Sequence, residues 1–407
     1  MQTPCPKKRT SDSSDARLPT ALETATFAVA LLEDNPLFNS AHGAVFTRDG
    51  INELEASVMV SRGRAKRCTA VSLVRRVRNP ILLARAMLEH GEADLGGKNG
   101  EHRGPLAPGP GVPAGNMDVP GAQGHTIVSG PAAESLARKY GLEIVEPGYF
   151  FTTTRWEEHR RALEREGQGQ GTGTWSAEEY LPQGTCGAVA LDEDGVVCCA
   201  TSTGGMTNKL SGRIGDTPVP GAGFWAEEWL EKDDPTGRGP NERGGYFGPD
   251  GPAVALSATL RGLLIDCLPA PRLYSPLPNH TRHGLRTTRS FAASGTGNGD
   301  SFLRVSAVRT VAAMARFQPV SSMTALGRVT GPDGELQRSA GRRWGQTGEG
   351  EGGMIGIECV IIRDATGNIA ETRGEILHDY NCGGMFRAWI DDGGEAVVRI
   401  WRDEVEL

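Results

Sequence analysis

Apolar residues recur along this chain with two different spacings, which predict a mixture of helices and strands. Apolar positions three to four residues apart predict helices at residues 18–34, 79–91, 131–141 and 304–317. Short apolar runs bounded by turn residues predict strands at 42–50, 52–60 and 125–130, the first two joined by an Asp-Gly turn.

Two further pairs of apolar runs predict β-hairpins in the second half of the chain. Residues 185–203 fold around an Asp-Glu-Asp-Gly turn, and residues 354–373 turn at Thr366 and Gly367. Helices and antiparallel strands in separate groups indicate an α+β fold of stacked layers. No GxGxxG motif stands where a strand leads into a helix, and the glycines of 294–299 are weak evidence for a nucleotide.

Composition narrows the class of protein. The 407 residues, with 38% apolar and 23% charged residues and a net charge of −7, fit a soluble globular protein. The chain is long enough for one large or two modest domains, and we take it as a single domain. No apolar run is long enough to span a membrane, and the basic N-terminus lacks the apolar core of a secretory signal. The mild acidity argues against a nucleic-acid partner. We therefore expect a cytoplasmic protein without a membrane partner.

The spacing of cysteine and histidine indicates no metal or redox site, and the distribution of glycine predicts where the loops lie. The eight cysteines and eight histidines show no CxxC or HExxH spacing, so we expect buried reduced thiols and no zinc site. Glycine-rich or polar stretches predict flexible loops or inserts at 96–124, 164–184, 231–252, 258–290 and 341–353.

The first hairpin carries many small hydroxyl side chains at its open end. Strand pairing across a four-residue turn places Thr185 opposite Ser202, and pairing across a tighter turn places it opposite Gly204. Either register brings Thr203 within about one residue of Thr185. Threonine favours strands, so the pair taken alone is also consistent with a purely structural role.

The position of Thr185 favours a chemical role. It follows Gly184 and a long polar segment, as expected where a chain is cut. A threonine at a new N-terminus has its hydroxyl beside its own α-amino group, which titrates near ~8 and can act as a base. A threonine activated by its own N-terminal amine is a recognised nucleophile.

Arg213 and Asp216 follow the hairpin in a glycine-rich turn. A guanidinium holds a carboxylate through two parallel hydrogen bonds, and a carboxylate holds an ammonium group. Together they match the zwitterionic end of an α-amino acid. A local surface ion pair would have the same spacing, and it is the nearby threonine pair that favours a binding role.

These residues make the stretch from Gly184 to Asp216 resemble the nucleophile region of the plant-type L-asparaginase/isoaspartyl peptidase family. The resemblance covers most of residues 18–390. It also includes an alkali-metal loop with its following strands (31–59), an oxyanion-hole segment, SGTGNGDSFLR (294–304), and a closing motif, NCGGMFRAW (381–389). It implies an N-terminal nucleophile hydrolase with a four-layer αββα sandwich, assembled as a homodimer of αβ units.

The resemblance also implies roles for individual residues. The chain is expected to cut itself between Gly184 and Thr185, giving an α subunit of residues 1–184 and a β subunit of 185–407, with Thr185 as nucleophile. The other implied roles are a hydroxyl partner at Thr203, an asparagine near the nucleophile at Asn39, an oxyanion hole at Thr296 and Gly297, and substrate contacts at Arg213 (α-carboxylate), Asp216 (ammonium) and Gly299.

No cofactor is required for the implied chemistry, but a structural sodium ion is implied. Its ligands would be the backbone carbonyls of Leu32, Glu33, Asn35, Phe38, Ser40 and His42. The implied reaction is the release of L-aspartate from L-asparagine or from β-aspartyl dipeptides. Two alternatives stay open: a non-cleaving member that binds small amino acids or a partner, and a glycosylasparaginase-like or taspase-like hydrolase.

Three features depart from the family pattern. Nothing in residues 1–17 resembles the buried strand with which the family opens. Residues 253–290 form an extra segment in which Thr259 competes with Thr296 for the oxyanion role, although only Thr296 is followed by a glycine. Finally, Ser40-Ala41 replaces the family's Ala-Gly, and a non-glycine residue there is costly if the backbone needs a positive φ.

Overall fold

A computed structural model of the chain describes residues 17–64, 67–94, 121–176, 184–231, 247–248, 251–252, 285–318, 320–391 and 393–401. Within these residues, helices and mostly antiparallel sheets form the α+β arrangement that the sequence predicts. No helix of the described part is long and apolar enough to cross a bilayer.

The first sheet contains the hydroxyl-rich hairpin. Its strands lie in the order β3 (Ile127–Ser129), β2 (Cys68–Val74), β1 (Leu54–Val60), β5 (Val197–Thr203) and β4 (Cys186–Leu191). Only β2 and β3 are parallel. Every residue of β5 is buried, because this strand lies between β1 and β4 and is covered on both faces.

Four helices belong to the first half of the chain: α1 (Ala21–Glu33), α2 (Pro80–Asp94), α3 (Gly130–Lys139) and α4 (Thr153–Gly167). α1 begins at a capping box, in which the side chains of Thr20 and Glu23 each accept a backbone N–H of the other. α1, α2 and α3 share one apolar core with the first sheet and confirm three predicted helices. α4 was not predicted, and its last turn occupies residues 164–167 of an expected loop.

The second sheet is antiparallel throughout. Its strands lie in the order β11 (Ile369–Tyr380), β10 (Gly352–Arg363), β9 (Arg286–Gly297) and β6 (Phe224–Leu230). β10 and β11 confirm the predicted second hairpin. Two small antiparallel pairs stand apart from both sheets, β7 (Phe247–Gly248) with β8 (Gly251–Pro252), and β12 (Arg387–Ile390) with β13 (Ala396–Arg399).

Four helices of the second half are α5 (Gly299–Val305), α6 (Ala307–Phe317), α7 (Ser322–Thr330) and α8 (Glu335–Ala340). They share a second apolar core with the second sheet. The single helix predicted at 304–317 is interrupted at Ser306, whose left-handed conformation (φ +47°) separates α5 from α6. Short 3-10 helices occupy Pro147–Phe150 and Gly341–Arg343.

A third apolar core joins the two sheets. Met59, Val197 and Cys199 of the first sheet pack with Phe224 and Ala292 of the second. The contact aligns the ends of β4, β5 and β9, so residues that are far apart in sequence meet at one edge. This edge carries the candidate chemistry.

Residues 42–50 do not form the predicted strand, and that prediction was wrong. Their backbone groups bond to other loops, with the Arg48 N–H donating to the Lys209 carbonyl (2.9 Å) and the Val45 N–H to Asn39 Oδ1 (3.0 Å). The hairpin partner of β1 is instead β2, which follows it. The apolar pattern was real, but it reflects burial of an irregular loop.

Candidate active site

The register of β4 and β5 brings the two threonines face to face. Cys186 pairs with Ser202, so the register continued by one residue sets Thr185 opposite Thr203. This confirms the predicted proximity, but both proposed registers were one residue off. The loop holds three residues, because the Asp192 N–H bonds to the Val196 carbonyl (3.1 Å).

A threonine of the second sheet reaches the predicted cleavage site. The backbone N–H of Thr185 donates to Thr296 Oγ1 at 2.8 Å. Thr296 stands near the end of β9, and a Cβ on Gly184 would lie 3.8 Å from the same hydroxyl. The Gly184–Thr185 bond therefore lies against a hydroxyl group that comes from a distant part of the chain.

Thr203 and Asn39 are fixed by the turn that follows β5. Thr203 Oγ1 accepts the N–H of Gly205 at 3.0 Å, which leaves its own proton available to another acceptor. Asn39, buried, donates from Nδ2 to the Gly205 carbonyl at 2.7 Å and accepts the Val45 N–H. Asn39 thus holds the turn that positions Thr203.

Gly297 occupies a backbone position that no other residue fits. Its φ is +141°, and a Cβ there would lie 2.4 Å from the Glu351 carbonyl oxygen. The next residue, Asn298, caps α5 by accepting the Ser301 N–H at 3.0 Å, and it donates its own N–H to Glu351. The turn from β9 into α5 is therefore held on both sides.

Arg213 and Asp216 lie together against two glycines. Asp216 Oδ2 is 2.9 Å from the position that a Cβ on Gly223 would occupy, and Oδ1 is 2.5 Å from the equivalent position on Gly299. Arg213 Nη2 is 3.0 Å from the same point of Gly299. Gly299 therefore has no room for a side chain, and its bare backbone lets the guanidinium and the carboxylate approach it closely. We call Arg213, Asp216 and Gly299 the clamp.

Two polar atoms of the clamp are buried and unsatisfied. Within the described residues, neither Arg213 Nη2 nor Asp216 Oδ2 has a hydrogen-bond partner. Asp300 Oδ1 lies 3.2 Å from Arg213 Nη2, close enough for an ion pair but without the alignment of a hydrogen bond. Unsatisfied buried groups are costly, so a donor and an acceptor that both lack partners at the clamp indicate a ligand that carries both charges.

The carboxyl group of Asp216 is only partly ionised near neutral pH. Burial raises the pKa of its carboxyl to about 7, Arg213 opposes that rise, and the carboxylates of Glu55 and Asp300 add to it. A bound ammonium group would favour the ionised form.

Sequence reasoning missed the charged residues beneath the clamp. Glu55 of β1 is fully buried and accepts the Gly215 N–H at 2.9 Å. Lys209, also buried, donates to the Glu53 carbonyl at 2.8 Å. The available signal was a pair of glutamates inside a predicted strand, where a solvent-facing position was the ordinary interpretation.

A second buried polar group links the loop after α1 to the hairpin. Ser202 Oγ donates to Glu33 Oε1 at 2.6 Å, and Ser40 Oγ donates to Ser202 at 2.9 Å. Burial raises the pKa of Glu33 to about 8 and that of the neighbouring Cys186 thiol to about 12. The thiols of Cys186, Cys198, Cys199 and Cys359 are buried and form no disulfide within the described residues.

The expected sodium loop comprises the end of α1 and the residues that follow it, and it also contains Asn39. Its backbone carbonyls are hard oxygen ligands, which suits a hard cation. Those of Glu33 and Asn35 each accept one backbone N–H and keep a second lone pair, whereas that of Leu32 accepts the N–H groups of Asp34 and Asn35. The loop residues in question are Leu32, Glu33, Asn35, Phe38, Ser40 and His42.

Two further features fix the same loop. Arg155 donates to the carbonyls of Gly43 and Leu37, each at 2.9 Å. Ala41 has a φ of +42°, so the non-glycine residue there adopts a left-handed conformation that costs about 1 kcal/mol or more. No group of three or more His, Cys, Asp or Glu side chains suited to a metal occurs in the described part.

The structure brings Gly184, Thr185, Thr203, Asn39, Thr296, Gly297, Arg213, Asp216 and Gly299 to one edge of the two sheets. Thr259, the rival for the oxyanion role, lies outside the described residues.

Comparison with known proteins gives consistent matches. The model of the asparaginase family matches residues 16–100 and 118–240. The isoaspartyl peptidase of Escherichia coli (strain K12) is 30% identical over 94% of this chain and 83% of its own length. A plant-type L-asparaginase of Pyrobaculum calidifontis is 34% identical over 54% of this chain and 60% of its own length. An isoaspartyl peptidase/L-asparaginase of Macaca fascicularis is 35% identical, with coverages of 54% and 58%.

Proposed function

This chain belongs to the asparaginase family, and on that premise we propose that it is a self-cleaving threonine hydrolase. Its substrates are L-asparagine and β-aspartyl (isoaspartyl) dipeptides, and its product is L-aspartate. Both substrates present the same free α-carboxylate and α-ammonium groups. The observation that carries the proposal is the unsatisfied pair, Arg213 Nη2 and Asp216 Oδ2, beside the contact of Thr185 with Thr296.

The first step is cleavage of the chain by its own hydroxyl. Thr185 Oγ attacks the Gly184 carbonyl carbon, the C–N bond breaks as the hydroxyl proton passes to the departing nitrogen, and the acyl group thereby moves from nitrogen to oxygen. Water then hydrolyses the ester, which frees the Gly184 carboxylate and the Thr185 amine. The Thr203 hydroxyl, whose oxygen already accepts the Gly205 N–H, is suited to donate a hydrogen bond to the attacking oxygen.

The same hydroxyl then acts on the substrate. Arg213 holds the α-carboxylate and Asp216 holds the ammonium group, while Gly299, which has no side chain, lets both groups lie against its backbone. Thr185 Oγ attacks the side-chain carbonyl while the free α-amine takes its proton. The oxyanion is bound by the Thr296 hydroxyl and the Gly297 N–H, each donor contributing roughly 3 kcal/mol. Ammonia or the second amino acid leaves, and water hydrolyses the β-aspartyl ester.

Three structural proposals accompany this function. The chain forms the four-layer αββα sandwich of the N-terminal nucleophile hydrolases, supported by one core on each outer side and one between the sheets. A sodium ion held by the carbonyls of the loop after α1 would fix that loop without entering the reaction. The mature protein is a homodimer of αβ units and acts in the cytoplasm, and light scattering of the cleaved protein tests its assembly.

Mass spectrometry of the expressed 407-residue chain tests the proposal first. We expect two fragments that meet at Gly184 and Thr185, absent from Thr185→Ala and retained in part by Thr185→Ser, which keeps a hydroxyl. The cleaved protein should release aspartate from asparagine and from a β-aspartyl dipeptide. A folded wild-type chain that stays uncut but binds L-aspartate would contradict the proposal and favour a binding protein.

A further inference from the structure

Beneath the clamp lies a carboxylate that the reaction above does not use. Glu55 Oε1 accepts the Gly215 N–H at 2.9 Å, which ties Glu55 to the loop that carries Arg213 and Asp216. Glu55 Oε2 is buried and has no hydrogen-bond partner among the described residues. This oxygen and Arg213 Nη1 both lie within 3.0 Å of the position that a Cβ on Gly215 would occupy. The glycine therefore lets the carboxylate approach the guanidinium from below.

Glu55 also interacts with two cations, the buried Lys209 and the half-buried Arg213, and both oppose the rise that burial causes in the pKa of its carboxyl group. Burial lowers the pKa of the Lys209 ammonium group, the Glu55 carboxylate raises it, and Arg213 lowers it further. The neighbouring Glu53 is already engaged, since its two oxygens accept from Arg75 (2.6 Å) and from a backbone N–H (2.7 Å). Glu55 is thus the carboxylate placed to balance Lys209 and Arg213 together.

We propose that Glu55 is a positioning residue that aims Arg213 at the substrate α-carboxylate. Glu55 Oε2 lies near the Nη1 end of the guanidinium, where Gly215 has no side chain, and the other end, Nη2, has no hydrogen-bond partner among the described residues. Without the Glu55 charge, Lys209 repels Arg213, and the exposed Asp300, 3.2 Å from Nη2, draws the guanidinium away from the ligand. The inference rests on the proposed function but not on the chemistry of Thr185.

Glu55→Gln tests this role, because the amide can still accept the Gly215 N–H while the charge is lost. The variant should cleave itself like the wild type and keep kcat. Its KM for asparagine should rise about 10- to 100-fold, the value of a misaligned charge-assisted hydrogen bond. Glu227→Gln is the matched control, a buried acid paired with Arg309 and Arg316 on the second sheet. The Glu227→Gln variant should have a lower free energy of unfolding and an unchanged KM for asparagine.

Two inhibitors distinguish an effect of Glu55 on the orientation of Arg213 from a general effect on packing at the site. β-Alanine has the ammonium and side-chain carboxylate of L-aspartate but lacks the α-carboxylate. Glu55→Gln should weaken inhibition by L-aspartate by the same factor as KM and leave inhibition by β-alanine unchanged. Adding Lys209→Met to Glu55→Gln should recover part of the lost affinity, because it removes the unbalanced cation.

Equal weakening of both inhibitors, or an unchanged KM, would overturn the positioning role. If the wild-type chain proves inactive, the proposed function fails by itself. Calorimetric dissociation constants of L-aspartate and β-alanine for the uncut wild type and Glu55→Gln would then still decide the role of Glu55.

Discussion

Two ionic clusters, one at the clamp and one on the second sheet, differ in how completely their charges are satisfied. In the second sheet, Arg289 donates from Nε to Glu358 (3.0 Å), from Nη1 to Glu231 (3.0 Å) and from Nη2 to Ser322 (3.3 Å). Ser322 donates in turn to Glu358 at 2.6 Å. We call this group the anchor cluster. The clamp with Glu55 and Lys209 instead leaves atoms of Arg213, Asp216 and Glu55 without partners in the described residues.

The difference separates charges that hold the fold from charges that await a ligand. Burying a charge is repaid only when its hydrogen bonds are completed inside the protein, as they are in the anchor cluster. At the clamp the cost is left partly uncompensated, because the missing partners belong to the substrate. Removing a clamp residue should therefore mainly lower activity, whereas removing a residue of the anchor cluster should mainly lower stability.

The largest expected effect comes from replacing the two arginines in turn. Arg213→Met should lower kcat/KM about 10³-fold and cost much less unfolding free energy than Arg289→Met, since its Nη2 has no hydrogen-bond partner among the described residues to lose. Arg289→Met should lower the free energy of unfolding by about 3–5 kcal/mol, because Glu358 and Glu231 lose their cation, with kcat/KM nearly unchanged. Urea unfolding and steady-state kinetics measure both. If both variants lost activity and stability to a similar extent, the distinction between the clamp and the anchor cluster would be wrong.

Ligand should stabilise the protein through the clamp alone. L-aspartate at about 100 times its Kd should add roughly 2.7 kcal/mol to the free energy of unfolding, because it supplies the missing partners. Thermal unfolding with and without L-aspartate measures this. Arg213→Met should lose the increase and Arg289→Met should keep it.

The pH dependence of substrate affinity should follow Asp216. Its pKa is about 7 in the free protein and lies above the unfolded value, so the carboxyl gains a proton as pH falls through 7. Protonation removes the charge that holds the ammonium group, and KM for asparagine should rise about tenfold per pH unit below 7. The raised pKa favours the folded state toward acid pH, so lost activity should not coincide with lost stability. A flat KM between pH 5.5 and 8 would contradict this assignment.

The smallest expected effect tests the completeness of the anchor cluster. Ser322→Ala removes one hydroxyl that bonds both Arg289 and Glu358, and it should cost about 1 kcal/mol of unfolding free energy. Its kinetic constants should match the wild type. A change in KM from this variant would show that the two sheets are coupled.

Local signals in the sequence were enough to find the reactive hairpin. The turn at 192–195, the apolar runs around it and the small hydroxyls made β4 and β5 recognisable, and the Arg213–Asp216 spacing indicated the clamp. Register was not recoverable to one residue, because the side chain of Asp192 accepts the N–H of Val196 and so fixes a three-residue loop. Such a bond is a property of the folded turn.

Features that depend on distant partners were missed. Residues 42–50 resemble a strand locally, but their hydrogen bonds go to Asn39 and Lys209. Glu55 looks like a surface residue until the loop after β5 covers it. The helix at 153–167 is dominated by charged residues, so its apolar face was too narrow to recognise.

The backbone nitrogen of Thr185 changes its chemical role when the chain is cut in the proposed maturation. In the uncut chain it is an amide that can only donate to Thr296, whereas after cleavage it is an amine whose lone pair can accept. The bond to be cut and the hydroxyls around it belong to one polypeptide, so apart from water no encounter with another molecule is needed. Activity should therefore appear after synthesis with first-order kinetics, and its half-time should be the same in dilute and concentrated solution.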